Sequence, residues 1–316
     1  MRILLLATAF NSLTQRIFVE FDDLGHDVGC SVVVDGDQMR TAVEAFSPEL
    51  VVAPYLKRAI PEEVWRTRPC LIVHPGIRGD RGPSSLDWAI LRGLPWWGVT
   101  VLQAAHEYDA GDIWAYREFP MGELSKSALY RHQVSDAAVD ALLEAMDRLR
   151  SGTSVPEPLD YRRPEIEGRL ERPVKQADRE IDWSGPTAVV LRHLRCSDSV
   201  PGVLDSLFGQ QCYLFGGHEE QLLGGQPGEV IARRAGAICR ATGDGQSGSR
   251  TSRRQRRATG PSSSYRLPWP WPPSWETSPT CLYPPIRWSR PARIARSGMR
   301  SASAWAMSIS SSTTVP

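Results

Sequence analysis

Between Arg2 and about Arg150, short apolar runs take turns with amphipathic stretches, and this alternation limits the chain to few architectures. Strands are expected over 3–9, 28–34, 50–53, 70–73 and 99–102, and helices over 12–24 and 40–46. Such a pattern builds a mainly parallel sheet covered by helices, the Rossmann-like α/β class. The run Ser84-Ser85-Leu86-Asp87-Trp88-Ala89-Ile90-Leu91-Arg92-Gly93 reads as a capped helix ending on glycine, and 137–149 as a longer amphipathic helix closing the domain. Neither GxGxxG nor GxxxxGK[ST] follows the first strand, so dinucleotide and P-loop readings lose their specific support.

The expected domains are an α/β unit over 1–152, a linker over 153–172 rich in Pro, Glu and Arg, a second unit over 173–245, and a tail over 246–316. Within the second unit, β-type runs at 211–215, 228–232 and 237–241 are parted by Gly-rich turns, suggesting a small OB-like β-barrel. Five barrel strands need more chain than remains before Gly243, so the barrel is expected to be incomplete. From Gln246 onward Arg, Ser, Pro and Trp dominate, lysine is absent and Glu276 is the sole carboxylate. A disordered basic arm fits the charge. Tryptophans at 269, 271, 275, 288 and 305 fit it poorly, and a GC-rich gene read out of frame yields the same bias, so the tail is expected to carry no function.

A formal charge of +1 offers no large basic excess for nucleic acid. No window approaches the ~20 apolar residues of a membrane helix, and Met1–Ala9 lacks the length and cleavage region of a secretory signal. Six cysteines without a CxxC pair give neither a zinc site nor a disulfide framework, and a cytoplasmic setting is expected.

Chemistry concentrates at two places. Leu71-Ile72-Val73-His74-Pro75-Gly76 ends one apolar run on a histidine, and Asp109-Ala110-Gly111-Asp112-Ile113 forms an acidic turn roughly 35 residues later. Both are expected at strand ends, where open α/β sheets bind ligands. Acyl-type transfer needs a proton acceptor, an oxyanion donor and a carboxylate to hold them, and His74 and Asp109 supply two of these. The competing reading is a buried histidine with a carboxylate partner and no chemistry. Asp112 serves equally as a second acidic partner or a cap, and His106 reads as a loop histidine.

These features, with the Ser84-Ser85-Leu86 helix, Gly98-Val99-Thr100-Val101 and Asp109-x-Gly-Asp112, resemble the 10-formyltetrahydrofolate-dependent formyltransferases, methionyl-tRNA formyltransferase included. The similarity continues through Lys175-Gln176-Ala177-Asp178-Arg179-Glu180-Ile181-Asp182-Trp183 and from Pro227 to Gly245, and so covers about residues 1 to 245. The wording from His74-Pro75-Gly76-Ile77-Arg78-Gly79-Asp80-Arg81-Gly82-Pro83 to Trp88 looks closest to the hydrogenase-maturation (HypX/HoxX) branch.

The resemblance implies the formyltransferase fold, 10-formyltetrahydrofolate as formyl donor, and no metal. His74 is then general base or oxyanion stabiliser, with Asp109 orienting it. It also implies a folate site along Pro54-Tyr55-Leu56-Lys57 and the 106–112 turn; Tyr55, Leu56, Ile72, Gly76, Arg78, Gly111 and Asp112 are the candidate binding residues. Arg78 and Arg81 suit anionic groups of folate or coenzyme A. The family pattern Asn-x-His has Ile72 at the asparagine position, and losing an oxyanion donor costs on the order of 3 kcal/mol elsewhere. A thiolate acceptor needs less help than an amine, so coenzyme A is the expected acceptor. The branch implies carbon monoxide synthesis for the [NiFe]-hydrogenase centre, maturation proteins as partners, and a hydratase-like domain that is absent here. The alternatives are a methionyl-tRNA or sugar-nucleotide amine formyltransferase, and a non-catalytic folate-binding or assembly remnant. tRNA is disfavoured because Glu167, Glu171 and Asp178 offset Arg169, Arg172, Lys175 and Arg179.

Overall fold

Alternation inside the first strand decides the layering. β1 (Arg2–Ala7) turns Ile3 and Leu5 into one core and Leu4 and Leu6 into another, all at most 2% exposed. A strand buried on both faces must be covered on both faces, and each leucine removed from water contributes about 1.5–3 kcal/mol. The computed structural model describes residues 1–152, 154–198, 201–234 and 237–244, with the backbone of 250–257. All of these lie in one compact unit, Met1–Pro285.

The helix α1 (Ser12–Asp23) follows, capped by Asn11 and burying Leu13, Ile17 and Phe21. Next come β2 (Asp27–Val32), α2 (Gly36–Phe46), β3 (Leu50–Tyr55), the turn of helix α3 (Glu62–Trp65) and β4 (Cys70–His74). The second helix starts four residues earlier than expected, because the Asp35 carboxylate accepts from Gln38 N and caps it there. Then follow α4 (Ser85–Arg92), β5 (Trp96–Gln103), β6 (Ile113–Pro120), α5 (Lys126–Leu129), a π-turn over Tyr130–Val134, and α6 (Ser135–Ser151). The strand order is β2-β1-β3-β4-β5-β6.

The first four strands are mutually parallel, but β5 is antiparallel to β4 and β6 antiparallel to β5. This corrects the expectation that His74 and the acidic turn follow carboxyl ends of neighbouring parallel strands. His74 pairs with Thr100, whereas Gln103 at the end of β5 pairs with Leu71, three residues back along β4. The 104–112 loop therefore starts level with the beginning of β4 and folds back to reach the histidine.

The second part opens with a 3-10 turn at Gln176–Arg179 and α7 (Thr187–Cys196). Five antiparallel strands follow: β7 (Val203–Leu207), β8 (Gln210–Glu220), β9 (Val230–Arg234), β10 (Ala237–Ala241) and β11 (Arg250–Arg257), in the order β7-β8-β11-β10-β9. The fifth strand comes from the span expected to be tail, so the sheet draws on more chain than the 245 boundary allowed. Its sequence Arg-Thr-Ser-Arg-Arg-Gln-Arg-Arg has no apolar alternation to announce a strand. The rest of the expected tail lies outside the described residues.

The connecting segment is a strap that pairs backbone with the 76–84 loop. Gly168 N donates to Arg78 O, Arg81 N to Arg169 O and Glu171 N to Arg81 O, at 2.9, 3.1 and 2.9 Å. Glu157 exchanges two bonds with Ile113 at the start of β6. A linker rich in Pro, Glu and Arg thus satisfies its backbone groups on the loop that follows His74.

Candidate active site

Side chains alternate along β4, so Ile72 and His74 share the face opposite Leu71 and Val73. The turn after the histidine is pinned from two elements. Ser85 Oγ and Trp97 Nε1 donate to Pro75 O at 2.8 and 2.9 Å, and Thr100 Oγ1 donates to Gly76 O at 2.8 Å. Gly76 lies against the imidazole: a Cβ there would come within 2.4 Å of His74 Nε2 and 2.5 Å of Asp80 Oδ2. Only glycine leaves room for that pair.

His74 is 4% exposed and stands between two carboxylates. Its Nε2 meets Asp80 Oδ2 at 2.8 Å, and its Nδ1 faces Asp109 Oδ2 at 3.5 Å. Burial alone depresses an imidazolium, but the Asp80 hydrogen bond and the charges of Asp109 and Asp80 outweigh it and raise the His74 pKa above its ordinary 6.5. A neutral imidazole has one N–H and satisfies one of these carboxylates; the second contact then sets lone pair against lone pair. Protonation of both nitrogens satisfies both.

The acidic turn is stapled in place. Arg81 donates from Nε to Tyr108 O at 2.9 Å and through an ion pair to Glu107 at 2.8 Å, which absorbs the guanidinium that anions were expected to meet. The Tyr108 hydroxyl accepts from Ala59 N, tying the loop to the chain after β3. Asp109 Oδ2 accepts from Gly82 N at 3.2 Å, and its backbone adopts φ +53°, a left-handed conformation that aspartate tolerates better than most residues. The Asp109 side chain keeps 18% exposure against 4% for Asp80, so it is the carboxylate open to an incoming molecule.

The remaining candidates divide. Tyr55 and Leu56 stand on the rim after β3; Tyr55 lies edge-on to Tyr130 and beneath Lys57, and Leu56 packs on the second core. Asn11 donates to the Tyr130 hydroxyl at 3.2 Å. Burial pushes that hydroxyl up to about 12, which keeps it protonated. Ile72 packs beside Leu102, Ile113 and Ile166, and no amide stands at its position. Gly111 presses on Gln103 O, where a Cβ would sit 1.7 Å away. Arg78 stacks on Tyr116 at 4.5 Å. Asp112 is exposed and accepts from Leu159 N at 3.4 Å, which engages it with the strap rather than with His74. His106 is exposed.

Asp80, which contacts His74, is the site residue that sequence reasoning missed; Asn11, Tyr108 and Tyr130 brace the loops around it. The signal for Asp80 was an aspartate six positions after the histidine, between Gly79 and Arg81 in a glycine-rich turn.

Family models match two stretches of the chain: Formyl transferase at residues 31–146 and Formyl transferase, C-terminal domain, at residues 173–260. The hydrogenase maturation factor HoxX of Bradyrhizobium diazoefficiens is 50% identical over 78% of this chain and 43% of its own length. A methionyl-tRNA formyltransferase of Bacillus licheniformis is 27% identical over 63% of each chain. Crystalline HypX from Aquifex aeolicus in complex with tetrahydrofolic acid is similar at 42% identity with a TM-score of 0.75, covering 82% of this chain and 44% of that one. The chain thus spans less than half the length of HoxX and of HypX.

Proposed function

Because the chain belongs to the formyltransferase family, with HoxX and HypX among its relatives, we propose that it transfers a formyl group from 10-formyltetrahydrofolate to coenzyme A. The carrying observation is His74 held between two carboxylates at the end of β4, in a chain similar over 82% of its length to a protein crystallised with tetrahydrofolic acid.

Transfer forms a carbon–sulfur bond and breaks the bond from the formyl carbon to N10 of the folate; the thiol proton ends on N10. Asp109, the open carboxylate, receives the thiol proton. The His74 imidazolium stabilises the tetrahedral oxyanion and gives its Nδ1 proton to N10 as it leaves; Asp109 then hands the thiol proton to Nδ1, so the net proton transfer is from thiol to N10 and both groups are restored. Tyr55 and Leu56 would hold the folate along the rim after β3. The apolar surroundings of Ile72 favour a thiol over an amine, because a thiolate attacks without the amide donor that Ile72 lacks. By kinship with HoxX, formyl-CoA would pass to a downstream activity that makes carbon monoxide for the nickel-iron hydrogenase centre, in the cytoplasm and beside maturation proteins.

Incubation with 10-formyltetrahydrofolate and either coenzyme A or an amine acceptor tests the assignment. Mass spectrometry should find formyl-CoA and no formylated methionyl-tRNA or amino sugar. Formylated amine without formyl-CoA moves the chain to the amine branch; tetrahydrofolate binding without any product makes it a non-catalytic folate binder.

A further inference from the structure

We infer that Asp80 is a positioning residue: it grips the His74 ring through Nε2 and leaves Nδ1, on the Asp109 side, as the one ring nitrogen that reaches the reacting atoms. This role rests on the formyl-transfer reading, but the geometry behind it is independent of the acceptor.

Three observations carry it. The Asp80 carboxylate and the imidazole are each about 95% buried, with 2.8 Å between Oδ2 and Nε2, so no solvent competes for that bond. Second, Gly76 leaves the clearance the pair occupies; any side chain there would enter both partners. Third, the strap fixes the backbone of Asp80. A Cβ on Gly168 would lie 1.9 Å from Asp80 N, and the strap bonds to Arg78 and Arg81 on either side. Tyr161 adds a hydroxyl donated to Gly79 O at 3.0 Å. The whole turn 78–82 is built to hold one carboxylate against one ring nitrogen.

The charged groups facing His74 from its surroundings are Asp80 on its own loop and Asp109 on the 104–112 loop. Arg81 pairs with Glu107 and Arg78 is turned onto Tyr116. With Nε2 occupied, rotation of the ring would break a buried charge-assisted bond, so proton traffic is confined to the Nδ1 side. An orienting carboxylate of this kind acts through the histidine, and removing one from a serine-protease triad lowers kcat about 10⁴-fold.

The test compares the full chain with Asp80→Asn, which preserves shape and removes charge. Nitrogen-15 NMR of the His74 ring, assigned by its loss in His74→Ala, should titrate at least about one pH unit lower in Asp80→Asn. The alkaline limb of the kcat profile, where the His74 imidazolium loses its proton, should move down with it. Turnover should fall about 100-fold or more, with KM for 10-formyltetrahydrofolate within about twofold. An unmoved His74 midpoint, or a rise in KM with kcat intact, overturns the role. The unaltered protein gives a second readout should Asp80→Asn fail to fold: both ring nitrogens protonated near pH 7 support the role, and an Nε2 without a proton contradicts it. A chain that shows the shifted midpoint but no formyl transfer keeps the Asp80 role and loses the reaction assigned above.

Discussion

A single imidazole holding two carboxylates makes the site sensitive to charge and to space. His74→Ala or Asp109→Ala is expected to lower formyl transfer about 10²–10⁴-fold, read as tetrahydrofolate release. Gly76→Ala should do comparable damage without touching a polar atom, because its methyl would enter the His74–Asp80 contact; about 1–3 kcal/mol of stability should be lost as well, measured by denaturant unfolding. The pH dependence has a fixed sign. Folding raises the His74 pKa above 6.5, so the stabilisation from protonating it is fully present below that value and disappears as pH rises through the higher folded value. Unfolding free energy measured against His74→Gln should therefore shrink as pH climbs from about 6 upward; a difference that grew with pH would reverse the assignment.

Among the elements, the strap decides more than its composition suggests. Tyr161→Phe deletes one bond to the turn that carries Asp80, at a cost of about 0.5–1.5 kcal/mol, and should lower turnover while leaving folate affinity unchanged by calorimetry. The strands and helices around β1 to β4 were legible in the sequence because their apolar residues repeat at 2.0 and 3.6, and His74 was legible as the polar end of such a run. Direction was not: nothing in the apolar residues of 96–103 says that β5 runs antiparallel, so Asp109 faces His74 from a loop after an antiparallel strand and not, as expected, after a parallel one. Asp80 was hidden because Gly168, which packs on its backbone, lies nearly ninety residues on in the chain. The fifth strand of the second sheet was hidden because backbone pairing, not side-chain pattern, specifies Arg250–Arg257.

For the whole molecule, a buried polar knot ties the first sheet's helices to the second part. Asp87 of α4 receives Lys126 and Arg179, each at 3.1 Å, beside Cys196 of α7, whose thiol is pushed up to about 12 by burial and then by Asp87. Asp87→Ala strands two partly buried cations and is expected to destabilise by about 3–5 kcal/mol, visible as a lower Tm. Ending the chain at Gly245 removes the strand between β8 and β10 and leaves two sheet edges unpaired; size-exclusion chromatography should show aggregation relative to the 316-residue chain. Among the described residues no helix is long and apolar enough to cross a membrane. The central claim is that His74, clamped by carboxylates, moves a formyl group off 10-formyltetrahydrofolate. Its most direct test is a single-turnover measurement of tetrahydrofolate release in the presence of coenzyme A, wild type beside His74→Ala. Release that disappears in the variant, with both proteins equally folded, is the expected result; equal release from both, or none from folded wild type, would contradict it.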